Sequence, residues 1–387
     1  MSGRIDFSAR PLGGSILRSV SRSFYLSIRI LPWRLREPVA LAYLLARATD
    51  TVADTAQIPW AVRAQTLQTL GNMIQGKASR EGLDSLAAAN SPAGVVRPSR
   101  STSVGSIADL VASFAPLQEN AAERTLLESL PHCLEWLEQL NGADRDDVRA
   151  VLAKITQGQT LDLQRFGNPA EVHALATAAD LDEYTYLVAG SVGEFWTRLC
   201  FRHVRKFARL SAEEMLDHGK RYGMGLQLIN ILRDAGADLR AGRCYFPNEE
   251  LAMARMDASQ ILREPERFQP IYRKWLERAK QGVEAGMQYS RAIRHRRIRA
   301  ATVLPALIGT RTLALLRGAG ATMLQRKIKA SRGEVRAMIA SMAITFASRS
   351  RIDAMFRRLS LKRPRKHSGS LESTRRSSAF AKLRRDK

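Results

Sequence analysis

Two long apolar segments of this chain each carry aspartates four residues apart. The first runs from Tyr43 to Asp54 and the second from Gln227 to Asp238. Residues four apart lie on one face of an α-helix, so each segment is constrained to a helix with a polar stripe. Segments that alternate β-branched and polar residues are scarce, and Ala, Leu and Arg are abundant. We therefore predict an all-α protein.

The polar stripe of the first segment is unusual because hydrophobic residues flank it on both sides. Its members are Tyr43, Arg47, Asp50 and Asp54. The second segment repeats the pattern with Gln227, Asn230, Asp234 and Asp238 among leucines and isoleucines. A helix face exposed to solvent is not normally bordered by hydrophobic residues on both sides, so both stripes are predicted to point into the protein.

Carboxylate and amide oxygens are hard ligands that suit Mg²⁺, which takes its remaining ligands from water and phosphates. Two facing acidic stripes predict a magnesium cluster that holds a diphosphate and activates it as a leaving group. The predicted metal ligands are Asp50, Asp54, Asn230, Asp234 and Asp238. Arg47 and Arg233 are predicted to bind the same diphosphate. A single pair of aspartates on a helix would be weak support, but two such segments together are strong.

The chain is strongly basic, with a formal net charge of +24 over 387 residues. Residues 357–387 contain 12 Lys or Arg and two acids, a net of +10, which leaves +14 on the rest. This charge favours anionic partners such as diphosphates, anionic lipids or nucleic acid. Three widely spaced cysteines indicate a reducing compartment, and the first residues contain no apolar signal segment. We expect a cytoplasmic protein, with peripheral contact to anionic membrane through the basic tail.

The domain organisation follows from composition along the chain. Residues 1–20 form a loose lead-in, 21–357 a helical domain with a mobile insertion at about 76–106, and 358–387 a basic disordered tail. The apolar stretch 300–316 is short for a membrane span and is predicted to be a buried core helix. Predicted helices lie at about 38–54, 107–116, 119–141, 144–165, 181–208, 211–240, 248–263, 267–294, 296–317 and 331–357.

With two further segments, the chain resembles the squalene/phytoene synthases, which join two allylic diphosphates head to head. Ser21-Arg22-Ser23-Phe24 is similar to the opening motif of that family, and the two aspartate segments are similar to its acidic motifs. The segment from Tyr184 to Gly193, with Val188 inside it, resembles the central helix of the family. Tyr245-Phe246-Pro247 follows the second acidic segment as the family pattern does. The similarity extends over roughly residues 15–320.

This resemblance implies a single all-α helical bundle around a central cavity. It also implies roles for individual residues. Ser21, Arg22, Arg47, Gln227 and Arg233 would contact diphosphate. Tyr43 and Tyr184 would line the reaction centre, which must be dry because water quenches a carbocation. Val188 would contact the prenyl chain. Asp50, Asp54, Asp234 and Asp238 would carry the catalysis. Gly190 and Gly193 are expected to thin their helix so that prenyl chains can pass.

Within the family, the residue pattern of the Asp50–Asp54 motif resembles that of squalene synthases more than that of phytoene synthases. The expected reaction joins two farnesyl diphosphates through presqualene diphosphate to squalene, with Mg²⁺ and NADPH as cofactors. Phytoene synthesis from geranylgeranyl diphosphate, dehydrosqualene synthesis, or formation of presqualene diphosphate without reduction are the enzymatic alternatives. The non-enzymatic alternative is a basic helical protein that binds membrane or nucleic acid, although specific nucleic-acid binding is not expected.

Overall fold

The protein, represented by a computed structural model, is described over residues 12–21, 23–77, 106–167, 171–345 and 347–361. A five-residue π-helical turn, Leu12–Ile16, precedes the first α-helix. The α-helices are α1 (Leu17–Ser21), α2 (Ser23–Arg29), α3 (Trp33–Asp54), α4 (Trp60–Ile74), α5 (Ile107–Phe114), α6 (Ala121–Glu128), α7 (Leu130–Glu138), α8 (Gly142–Phe166), α9 (Ala178–Thr185), α10 (Ser191–His203), α11 (Ala212–Arg240), α12 (Asn248–Met253), α13 (Pro265–Ala292), α14 (Arg296–Ala319), α15 (Arg332–Ile344) and α16 (Arg349–Leu361).

A small parallel pair of strands is the exception to the helical architecture in the described residues. Strand β1 (His173–Leu175) pairs with β2 (Arg243–Pro247), and His173 is opposite Arg243 in the register. The sequence predicted only a break in the helix at this point. The pairing matters because it holds Arg243 and Tyr245 directly after the second acidic segment.

The bundle has two hydrophobic cores, and both contribute to the wall of one cavity. The first contains the apolar faces of α3, α4 and α8, and the second those of α11, α13 and α14. Leu44, Leu45 and Val52, which flank the first polar stripe, are fully buried. The apolar neighbours therefore pack into the surrounding helices as predicted. Tyr43, Arg47 and Asp50 of the stripe line the cavity, whereas Asp54 is exposed.

Gly190 and Gly193 lie where helices pack closely. A Cβ atom at Gly193 would lie 2.0 Å from the backbone oxygen of Gly219 on α11. A Cβ atom at Gly190 would meet the side chain of Met224 at 2.9 Å. These glycines therefore let α11 approach its neighbouring helical segment. Gly193 also lines the cavity, and the expected passage of prenyl chains beside these glycines stays a prediction.

Several predicted boundaries differ from the structure. Residues 12–20, expected to be loose, are helical, and Leu17 is fully buried. The predicted helix 331–357 is two helices, separated near Ala347, whose φ of 49° is incompatible with a continuing right-handed helix. The predicted helix 119–141 is divided at Ser129. The next helix begins at Leu130, and its first turn accommodates Pro131 because an N–H there would have no partner within the helix. Most of the predicted insertion and tail lies outside the described residues.

The apolar stretch at 300–316 forms most of α14. By length and composition alone, residues 296–324 would suffice to cross a membrane, but 72% of that window is buried inside the protein. Leu304, Leu307 and Leu316 pack into the second core. The prediction of a buried core helix is confirmed.

Candidate active site

A cavity of about 550 Å³ lies where the two cores meet. This is within the usual size range of small-molecule sites. Tyr43, Arg47, Asp50 and Gln227 line its polar end. The remaining wall is mainly apolar and includes Val39, Val151, Ile155, Val188, Phe195, Trp196 and Leu226. The cavity therefore combines one charged end with an extended hydrophobic interior.

Arg47 organises the charged end. Its guanidinium group donates to Asp50 Oδ2 at 2.6 Å and to Glu123 Oε1 at 2.5 Å. Glu123 comes from α6, so the interaction ties that helix to α3. These two hydrogen bonds fix the orientation of the guanidinium group at the cavity wall. Next to it, the Tyr43 hydroxyl donates to the Val20 carbonyl oxygen at 3.3 Å.

The two carboxylates of the first segment destabilise one another in their ionised forms. Burial and the neighbouring Asp54 raise the pKa of Asp50 to about 6, although Arg47 opposes the shift. Desolvation by the surrounding protein also raises the pKa of Asp54, although Arg243 and Arg47 oppose the shift. A bound cation would favour the ionised forms of both groups.

The second segment is neutralised by its own neighbours. Arg233 binds Asp234, and Lys327 Nζ lies 2.8 Å from Asp234 Oδ1. Although burial alone would raise the pKa of Asp234, the hydrogen bonds from Arg233 and Lys327 lower it below its ordinary value. Four residues further on, Asp238 accepts from Arg243 at 3.0 Å, but burial raises its pKa.

Asp162 on α8 joins the two segments electrostatically. Its Oδ1 accepts from the Tyr245 hydroxyl at 2.6 Å. Arg243 interacts with Asp162 and also with Asp54 and Asp238. Burial raises the pKa of Asp162 to about 6, while Tyr245 and Arg243 oppose the shift. Asp162 and Arg243 thus lie between the two predicted metal-binding stripes.

Tyr184 is held against this network by aromatic stacking. Its ring stacks on that of Tyr245 at a centroid distance of 5.1 Å, and Phe166 contacts Tyr245 edge-on. Burial raises the pKa of Tyr184 far above its ordinary value, so the phenol stays neutral at physiological pH. Shortly after Tyr184, the five residues Tyr186–Gly190 form a π-helical turn. Such turns are frequent at functional sites.

The oxygen-rich donor set fits magnesium. Among the described residues, no three His, Cys, Asp or Glu side chains form a ready-made metal cage. Magnesium is usually held by one or two carboxylates together with substrate phosphates and waters, so a complete protein cage is not required. Asp50 and Asp54 are adjacent, and their raised pKa values are what a cation would relieve. The first segment is therefore the better fit, with Asp238 the candidate from the second.

The structure brings together many, but not all, of the predicted site residues. Tyr43, Arg47, Asp50, Tyr184, Val188 and Gln227 line the cavity. Asp54, Asn230, Arg233, Asp234 and Asp238 lie beyond that lining, at the charged end of the two stripes. Ser21 is buried and donates to its own helix at Leu17 O, 2.5 Å away. Arg22 lies outside the described residues, and the roles predicted for both remain predictions.

Five polar residues at the site were not predicted. They are Glu123, Gln159, Asp162, Arg243 and Lys327. The side-chain oxygen of Gln159, which lines the cavity, has no hydrogen-bond donor among the described residues. The only signal available for Gln159 and Asp162 was their position three residues apart on one helix face. Lys327 carries no spacing signal at all.

Comparison with known proteins identifies the family. The family model described as squalene/phytoene synthase matches residues 17–334. The chain belongs to the squalene/phytoene synthase family. Both the family and the all-α class predicted from the sequence are therefore confirmed.

Individual relatives carry more than one activity in their names. A bifunctional lycopene cyclase/phytoene synthase of Arthroderma gypseum is 31% identical over 169 residues, covering 42% of this chain and 28% of that protein. Squalene synthase ERG9 of Candida albicans is 25% identical over 249 residues, covering 64% and 48%. The chain thus spans about a quarter to a half of the length of these curated relatives.

Solved structures share the fold. The TcSQS structure in complex with a ligand superposes with a TM-score of 0.64 at 22% identity, covering 89% of this chain and 95% of that one. A dehydrosqualene synthase in complex with a ligand has a TM-score of 0.53 at 19% identity, covering 86% and 94%. At this level of identity the likeness shows the helical fold alone.

Proposed function

We propose that this protein is a Mg²⁺-dependent prenyltransferase that condenses two farnesyl diphosphates head to head, through presqualene diphosphate, to squalene. The observation that carries the proposal is the junction of an ionic end with an apolar cavity. Arg47 and Asp50 lie at one end of a lining that becomes hydrophobic at Val188 and Leu226. This arrangement matches a substrate with a diphosphate head and a prenyl chain.

Cationic side chains at the charged end bind and orient the diphosphate. Glu123 holds the Arg47 guanidinium group at the cavity wall, where its remaining N–H groups face the diphosphate. Arg233, Arg243 and Lys327 add positive charge beside the second stripe. Each of these groups stabilises negative charge that develops on the departing diphosphate.

Carboxylates of the two segments would hold magnesium. Asp50 and Asp54 supply oxygens from α3, and Asp238 supplies them from α11. Asn230 and Asp234 are the further ligands expected from the second stripe. When bound, Mg²⁺ supplies Lewis-acid activation of the diphosphate leaving group.

Residues of the apolar interior protect the allylic cation. Val151, Ile155 and Phe195 exclude water from the prenyl chain. Tyr184 presents a neutral aromatic ring near the junction, where a cation is attracted by the face of the π system. The Gln159 amide oxygen provides a weakly basic dipole on the same wall.

Phytoene or dehydrosqualene synthesis is the second candidate, because relatives include a phytoene synthase and a dehydrosqualene synthase. Formation of presqualene diphosphate without reduction is a third outcome of the same chemistry. The three differ in prenyl chain length and in whether NADPH reduces the intermediate. None of these differences changes the charged end of the site.

Product analysis tests the proposal. The protein is incubated with farnesyl or geranylgeranyl diphosphate and Mg²⁺, with and without NADPH, and products are extracted and resolved by mass spectrometry. We expect squalene from farnesyl diphosphate with NADPH and accumulation of presqualene diphosphate without it. A C40 product from geranylgeranyl diphosphate only, or release of diphosphate without carbon–carbon bond formation, would contradict the proposal.

A further inference from the structure

Ten basic side chains form a cluster far from the charged end of the cavity. They come from three segments, 205–209, 291–299 and 349–351, which contain no Asp or Glu. The basic cluster consists of Arg205, Lys206, Arg209, Arg291, Arg294, Arg296, Arg297, Arg299, Arg349 and Arg351. Eight of the ten are exposed, Arg299 being buried and Arg349 intermediate.

Backbone hydrogen bonds bring the three segments together. The Arg209 amide donates to Ala292 O at 3.0 Å, and the Arg294 amide donates to Phe207 O at 2.9 Å. The Arg349 side chain donates to Ile293 O at 2.8 Å. The cluster is therefore a built feature of the fold and not a coincidence of flexible side chains.

The cluster is poorly neutralised within the described residues. Asp353 binds Arg291 at 2.6 Å, but Arg299 and Arg349 are satisfied mainly by backbone carbonyl oxygens. Burial and the charges of Arg349, Arg296 and Arg209 lower the pKa of Arg299 to about 10. The exposed arginines thus carry excess positive charge that an external anion would offset.

Two of these cations also occupy an unfavourable place on their own helix. Arg296 and Arg297 lie in the first turn of α14, which has no acidic residue there. The positive end of the helix dipole disfavours cations at that position. Glutamate at either position would suit the isolated helix better, so these arginines contribute something other than helix stability.

Two exposed apolar side chains lie near the apolar end of the cavity, opposite the charged end. The turn between α2 and α3 exposes 60% of Trp33 and 41% of Ile30. Arg34 lies over the Trp33 ring at 5.1 Å, and Arg29 is also exposed. An amphipathic aromatic ring flanked by arginines is typical of a surface that enters the lipid headgroup region.

The apolar interior of the cavity ends next to both features. Along α3, Val39 is roughly 16 Å from Asp50 at 1.5 Å per residue. The cavity lining also includes Leu31, Tyr289 and Ala301, which pack in the same hydrophobic core as Val39. Tyr289 and Ala301 lie two residues from opposite ends of the segment 291–299, and Leu31 adjoins Ile30.

We propose that the basic cluster and the Ile30–Trp33 turn form a docking surface for an anionic lipid bilayer, which places the apolar end of the cavity against the membrane. Lipid is favoured over nucleic acid because exposed apolar side chains and a hydrophobic cavity accompany the charge. This surface is separate from the basic tail at 358–387, and it provides a route for an apolar product into the bilayer. The proposal concerns binding and does not depend on which product is made.

Vesicle sedimentation tests this with the full chain and no substrate. The vesicles are phosphatidylcholine alone or phosphatidylcholine with 30% phosphatidylglycerol. The variant is Arg205→Glu/Arg296→Glu/Arg297→Glu. The matched control is Arg263→Glu/Arg273→Glu/Arg336→Glu, which makes the same change in net charge at exposed positions elsewhere. Each basic residue near an anionic surface contributes roughly a fivefold change in affinity, so the cluster variant should lose at least about tenfold more binding than the control.

Equal loss in the two triple variants, or no loss in either, overturns the proposal. Fluorescence anisotropy with duplex DNA forms the second arm, and loss of DNA binding with vesicle binding retained would assign the surface to nucleic acid instead. The melting temperature of the cluster variant should not fall, since glutamate suits the first turn of α14. If it does fall, Trp33→Ala decides: severalfold weaker vesicle binding supports the docking surface, and unchanged binding rejects it.

Discussion

The two aspartate segments look alike in sequence but differ in charge environment. In the first, Asp50 and Asp54 oppose each other, and burial and this repulsion raise the pKa of Asp50 to about 6. In the second, Arg233 and Lys327 bind Asp234 and lower its pKa. The charge of Asp50 is therefore unfavourable in its helix and that of the equivalent Asp234 well compensated, although burial raises the pKa of Asp238 in the second segment.

This difference separates two tasks within one site. The first segment gains most from an added cation, because a cation removes an existing repulsion. The second already has cations beside its carboxylates, and under the proposed function these same groups would contact the diphosphate. Arg243 connects the two segments, since it binds Asp238 and interacts with Asp54 and Asp162.

The largest expected effect is the loss of catalysis when either segment is altered. Asp50→Asn and Asp234→Asn should each reduce Mg²⁺-dependent diphosphate release from farnesyl diphosphate by about 10²–10³-fold or more. Asp146→Asn, at an exposed position on α8, is the matched control and should leave turnover unchanged. Full turnover in either site variant would refute the assignment of that segment to the metal site.

A smaller loss is expected from Asp162→Asn. This change weakens the acceptor for the Tyr245 hydroxyl and a charge partner of Arg243 without removing an expected metal ligand. Altered orientation of such supporting groups typically costs about 10–100-fold. We expect kcat to fall while the Mg²⁺ concentration required for half-maximal activity rises. A purely structural role would instead lower the melting temperature and leave the magnesium requirement unchanged.

The two segments should respond with opposite signs when stability is measured without divalent metal. At pH 8, Asp50→Asn removes a charge that is disfavoured in the folded protein and should stabilise it by up to about 1 kcal/mol, a value reduced by solvent screening of this partly exposed group. Asp234→Asn removes the charge paired with Arg233 and Lys327 and should destabilise it by about 0.5–1 kcal/mol. Denaturant titration measures both, and changes of the same sign would show that the environments are not different.

The smallest expected effect is a pH dependence of the metal-free protein. Asp50 and Asp162 have folded-state pKa values of about 6, above the ordinary value near 3.8. The folded state therefore favours their protonated forms, a stabilisation that is complete below about pH 4 and is lost as pH rises through 6. The free energy of unfolding of the wild type, relative to Asp50→Asn/Asp162→Asn, should fall between about pH 4 and about pH 6. Parallel pH profiles for the two proteins would contradict this.

Local spacing was sufficient to predict the helices and the inward polar stripes. The stripe at Tyr43, Arg47 and Asp50 lines the cavity because a 3.6-residue period places these side chains on one face wherever the helix packs. The same reasoning failed for residues 331–357, where a single positive φ at Ala347 divides the predicted helix. It also gave no sign that Gly193 packs against the backbone of Gly219, a contact that only the fold creates.

The sequence by itself determined the helical class, the family and the faces on which both acidic stripes lie, because helix periodicity and motif order are local properties. Only the tertiary structure decided how those charges are neutralised. Asp162 meets Tyr245 across 83 residues of sequence, and Lys327 reaches Asp234 from beyond the end of α14. The pKa of a carboxylate depends on burial and on charges through space, so two equivalent aspartate motifs acquired different electrostatic properties only once the chain was folded.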